Sequence, residues 1–152
     1  MPVPPSPFQY AILRVVPDIE RGERLNAGVI LFARTLDHLE ARVHLDPARL
    51  AALAPGADAT AIARQLDGIA RVAAGDPRAG PVAGLEPSAR FHSLVAPAST
   101  TIQPSVVHTG LCDDPGAALA RLYRRLVLAP ATGGEGRSSG YRDVEHARPE
   151  EE

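Results

Sequence analysis

From Ala27 to Ala33 every position is apolar, whereas from His38 to Leu45 polar and apolar residues alternate strictly. The first pattern predicts a strand covered on both faces, and the second a half-buried strand with Leu39, Ala41, Val43 and Leu45 inward. The few residues between them predict an antiparallel hairpin, because a parallel pair needs a crossover of about a dozen residues. Upstream, Phe8 to Val16 is rich in β-branched and aromatic residues and reads as another strand, after a proline-rich lead-in. Thr100 to Val107 is polar and β-branched but interrupted by Pro104, which predicts an edge or bulged strand.

Helix signals follow a common form, in which an aspartate caps and a proline or alanine opens the first turn. Asp46–Pro47 starts a helix carrying Leu50 and Leu53 that stops before Pro55. A second begins near Asp58, aligns Ile62, Leu66, Ile69 and Ala73, and ends at Gly75. Asp114–Pro115 opens a third, with Leu119, Leu122, Tyr123, Leu126 and Val127 on one face. Ser88 to Ala96, with Phe91, Leu94 and Val95, reads as a short helix or alternatively a strand. The expected fold class is α+β: an antiparallel or mixed sheet of about four strands packed against three to four helices. Residues 8–129 form the expected single domain, and 130–152, without periodicity, an acidic disordered tail.

Composition narrows the chemistry. All 16 basic residues are arginine, so Schiff-base, pyridoxal-phosphate and P-loop lysine chemistry are excluded. One cysteine, Cys112, forms no internal disulfide and no paired-cysteine zinc site. The formal charge is -2, and residues 1–129 hold 13 Arg against 12 Asp and Glu. A nearly neutral domain does not attract nucleic acid by charge alone, and Arg121, Arg124 and Arg125 read first as a solvated helix face. No signal peptide or membrane span is visible, so a cytoplasmic protein is expected, with no cofactor and no metal.

Two regions hold candidate chemistry. Arg14 interrupts an otherwise apolar strand face; it either binds an anion or pairs with Glu20 or Glu23 across the next loop, the reading favoured here. In that loop, Asp18, Glu20 and Glu23 match no metal-binding spacing, and Asn26 beside Gly28 suits a turn. The second region, Arg90 to Asp114, places Arg90, Ser99, Thr100, Gln103 and His108 where a core would not want them. Ser99 and Thr100 suit a phosphate cradle or an ordinary turn. His108 and Cys112 invite comparison with a nucleophile and base, but no third group is assured. Asp114 is already explained as a helix cap.

These same two regions carry a family likeness: Ala11-Ile12-Leu13-Arg14-Val15-Val16-Pro17 with Leu25-Asn26-Ala27-Gly28-Val29-Ile30-Leu31-Phe32, and then Phe91-His92, Ala96-Pro97, Ser99-Thr100, Ile102-Gln103-Pro104-Ser105, His108-Thr109-Gly110 and Asp113-Asp114-Pro115. The chain resembles the bacterial domain of unknown function DUF3037 over roughly residues 8 to 129. The resemblance supplies no catalytic residues. It implies, through relatives encoded beside HipA-like kinases, a partner or regulator in a toxin-antitoxin or defence setting. Ser93 stands where the pattern has a large aromatic, and Ala98 where it has a basic residue, which weakens an anion site near Ser99. The expected function is a noncatalytic protein-interaction or regulatory module. The alternative is a small enzyme or binding protein for a phosphorylated or nucleotide ligand, using Arg14 and Arg90 as clamps and His108 as acid or base. Nucleic-acid binding through the three helix arginines is a third, less expected role.

Overall fold

The computed structural model describes residues 3–130. The expected acidic tail therefore lies, from residue 131 onward, outside the described residues. Strands β1 (Ser6–Val15), β2 (Leu25–Ala33) and β3 (His38–Val43) form an antiparallel meander. Helices α1 (Pro47–Leu53), α2 (Ala59–Ala73) and α3 (Pro87–Leu94) follow, then two short strands, β4 (Ile102–Pro104) and β5 (His108–Cys112), and helix α4 (Pro115–Leu126). The sheet has five strands, one more than expected, and every pairing is antiparallel. The class is α+β.

The helix starts follow the sequence signals. Asp46, Asp58 and Asp114 each accept hydrogen bonds from backbone N–H groups of the first turn, and Pro47 and Pro115 occupy the opening positions, where no N–H is needed. Gly75 leaves α2 at a φ of 74°, a left-handed conformation suited to glycine. Segment 88–96 resolves as helix only as far as Leu94, with Phe91 turned inward onto Phe32, ring centroids 5.3 Å apart.

The sheet is packed on both faces, which explains the all-apolar run in β2. Ala11, Leu13, Val15, Ile30 and Phe32 face α1, α2 and α3, meeting Leu50, Ile62, Leu66 and Phe91. Phe8, Val29, Leu31 and Ala33 face α4 and meet Ala118, Leu119 and Leu122. Each large aliphatic side chain buried in this way stabilises the fold by about 1.5–3 kcal/mol. A bulge at Ala27 shifts the pairing from Leu13–Gly28 to Arg14–Asn26 and keeps both inward faces in phase.

The edge beyond β1 is divided. The first half of β1 pairs with β5, and the second half with β4. Between them sits buried Ser105, whose Oγ accepts from Ile12 N–H (2.8 Å) and donates to Val106 C=O (2.8 Å). Ser105 N–H donates to Ile12 C=O (2.8 Å). A side chain thus replaces one rung of the ladder while the chain steps from β4 to β5. The expected strand over Thr100 to Val107 is accordingly corrected to Ile102–Pro104, and the next strand starts one residue after the predicted end. Pro104 sits opposite Leu13, where its missing N–H points away from β1 and breaks no rung.

Candidate functional site

Helix α4 lies mainly over β2 and β3, and beside it the β1–β4–β5 half of the same sheet face is a partly open strip. There Tyr10, Arg14 and Gln103 are half-buried and His108 is exposed, around the buried Ile12. Four of the residues singled out in the sequence come to this strip. Arg14 on β1 is flanked directly by Asn26 on β2 and Gln103 on β4. His108 on β5 stands opposite Tyr10 on β1, and the two rings stack at 5.1 Å with a 31° tilt. Tyr10 and Arg14 share strand parity, so His108 and Arg14 occupy one face, about 13 Å apart along the strand direction.

Arg14 is half-buried, and the expected ion pair with Glu20 or Glu23 does not form. The loop turns on itself instead: Asp18 Oδ1 accepts from Glu20 N–H (3.0 Å), Gly22 takes a φ of 68°, and Glu23 pairs with Arg21. Among the described residues no carboxylate lies within 4 Å of the Arg14 guanidinium. Burial, and next the charge of Arg24, hold its pKa below the ordinary guanidinium value. Asn26 Nδ2 donates to Leu126 C=O (3.0 Å) and Arg49 Nη1 to Val127 C=O (3.3 Å), so the end of α4 is anchored to β2 by the first and to α1 by the second. The expected turn role of Asn26 is thereby corrected: it lies within β2, opposite Arg14, and its side chain makes a tertiary tie.

The other candidates stay outside the strip. Arg90 lies across the sheet, on α3, where its guanidinium donates to Leu85 C=O (2.7 Å) and Ala73 C=O (3.4 Å) and closes the end of α2 beside Gly75. The clamp of Arg14, Arg90 and His108 is therefore not assembled. Thr100 Oγ1 donates to Ile102 C=O (2.9 Å) and Gln103 Nε2 to Thr100 C=O (3.0 Å), while Ser99 is exposed in the same turn. This is turn chemistry that sets the start of β4. The hollows beside Pro17 and Leu53, Arg24 and Arg49, Cys112 and Arg121, Phe8 and Thr109, and Leu45 and Asp67 are lined by residues other than Arg14, Asn26, Gln103 and His108.

His108 and Cys112 occupy opposite ends of β5, also about 13 Å apart, which removes the pairing of base and nucleophile. Cys112 is buried against α4, and burial first, then the charges of Asp113 and Asp114, push its thiol pKa up. Its reaction with a disulfide reagent at pH 8 is expected to be slow in the native protein and to become rapid in denaturant. Comparable rates in both conditions would contradict the buried placement.

A family model described as "Protein of unknown function (DUF3037)" matches residues 10–127. The chain belongs to the DUF3037 family. No curated protein and no solved structure matches it significantly. In this DUF3037 chain the matched span takes in β1 from Tyr10 onward, β2 and β3, helices α1 to α4, and strands β4 and β5. It includes Tyr10, Arg24, Ser105 and Gly110, to which the sequence reading gave no role. Strand alternation puts Tyr10 on the Arg14 face, but its stacking on His108 depends on a strand register that no local motif encodes. No helix among the described residues is long and apolar enough to cross a membrane.

Proposed function

We propose that this DUF3037 domain is a noncatalytic interaction module that binds a partner protein through the open strip of Tyr10, Arg14, Asn26, Gln103 and His108. The observation that carries this reading is that these side chains share one sheet face, while the surface hollows described above are lined by other residues. Catalysis and tight small-molecule binding need enclosure and convergent groups, whereas a flat strip with an aromatic pair and a guanidinium suits a protein surface. Arg14 and its neighbour Arg24 give one end a local positive charge, which favours an acidic contact. The HipA-like kinases implied by the family resemblance are the partner class to test first. In this reading the module works in the bacterial cytoplasm, where a lone reduced thiol such as Cys112 is ordinary.

Tagged full-length protein purified from its native host should carry a stoichiometric protein partner. The variant Arg14→Ala/His108→Ala should weaken that complex by about tenfold or more, with the circular dichroism and melting curve of the free domain little changed. Recovery of the chain alone, or a complex indifferent to both substitutions, would overturn the proposal.

A further inference from the structure

The two edges of the sheet are built differently. The β3 edge alternates His38, Glu40 and Arg42 with apolar residues, and charges at that spacing discourage another strand from pairing. On the other side, Pro104 guards β4 in the same sense. The guard ends there: residues 105 to 112 (Ser-Val-Val-His-Thr-Gly-Leu-Cys) contain no Asp, Glu, Arg or Pro.

The backbone of β5 is also free on its outer side. Both polar groups of Ile12 are directed at Ser105. By strand alternation, Phe8 and Tyr10 therefore direct theirs at Gly110 and His108. The N–H and C=O groups of Thr109 and Leu111, and of Val107 just before the strand, then point outward with no backbone partner among the described residues. Around them Val107 is 38% exposed and Leu111 67% exposed. Gly110 carries no side chain, and the ring of Phe8 fills the space where one would stand.

We infer that β5 pairs antiparallel with β5 of a second copy of this chain, on a two-fold axis through Gly110. In that register Thr109 faces Leu111 of the second copy and Leu111 faces its Thr109, so the outward groups of both residues are satisfied reciprocally. Glycine lies opposite glycine at the closest approach of the two backbones. The two Leu111 side chains become diagonal neighbours and cover one another. A second copy is favoured over a charged partner because the segment is neutral and meets itself without repulsion.

The pairing would continue the sheet in the order β3-β2-β1-β5, then the same strands in reverse. A two-fold axis normal to the sheet keeps both α4 helices on one face. The two open strips would then be joined into one floor between two helical walls, creating a groove that one copy lacks. This inference stands on the β5 edge and is independent of the partner protein proposed above.

Sedimentation velocity of the full chain should show monomer passing to dimer with rising concentration, because a short ladder with little buried area makes a weak interface. Residue-resolved hydrogen exchange should show Thr109 and Leu111 amides becoming at least tenfold more protected across the same concentration range. Leu111→Lys, an exposed substitution that sets two like charges at the axis, should leave the chain folded and monomeric; Thr109→Pro, which removes an outward N–H, should do the same. A wild-type chain that stays monomeric, a dimer unaffected by Leu111→Lys, or Thr109 and Leu111 amides indifferent to concentration would each overturn the inference.

Discussion

Gly110→Val is expected to destabilise the domain by about 3 kcal/mol, because the new side chain enters space already occupied by Phe8. A Cβ at residue 110 would stand 2.5 Å from Phe8 Cζ and 2.8 Å from Cε1, closer than any carbon pair tolerates. The ring is buried beside Leu119 and Leu122 and cannot swing aside without leaving the α4 core. Chemical denaturation of the two proteins measures the loss directly. The cause is tested by repeating Gly110→Val in a Phe8→Ala background, where its additional cost should fall well below its cost in the parent. Equal costs in both backgrounds would mean that the glycine is required by the backbone and not by the ring.

Ser105→Ala should cost about 2 kcal/mol, which is large for a change of one oxygen atom. The hydroxyl is buried and accepts the Ile12 N–H, so alanine leaves that donor without a partner between β4 and β5. Thermal unfolding should show a lower midpoint with native secondary structure retained below the transition. Ser105→Thr keeps the acceptor and should recover most of the loss if the added methyl fits. An alanine variant as stable as the parent would show that water or a shift of the strand takes over the bond.

Much of this architecture is legible in the chain. Alternation in His38–Leu45 and the unbroken apolar run in β2 identify their strands because each records which faces are covered. The aspartate and proline pairs at 46–47 and 114–115 mark helix starts because capping is local chemistry. β5 is different: His-Thr-Gly-Leu-Cys lacks alternation, and its glycine looks like a turn until Phe8 is seen to occupy the missing side-chain volume. Long-range geometry likewise separates Arg90 from Arg14. Only the packing of α3 on the far face assigns Arg90 to a helix end and leaves Arg14 in the strip.

The position of β1 has a consequence for how the chain folds. Its hairpin partner is near in sequence, but Ser105 lies 93 residues beyond Ile12. The β1–β2–β3 meander can therefore form early, while the opposite side of β1 waits for almost the whole domain to be synthesised. During that interval a strand that is central in the native sheet is itself an exposed edge, with Ala11, Ile12, Leu13, Val15 and Val16 close together. Arrest or truncation before residue 102 leaves β1 without either partner on that side, which makes the emerging chain most prone to aggregate when it is nearly complete.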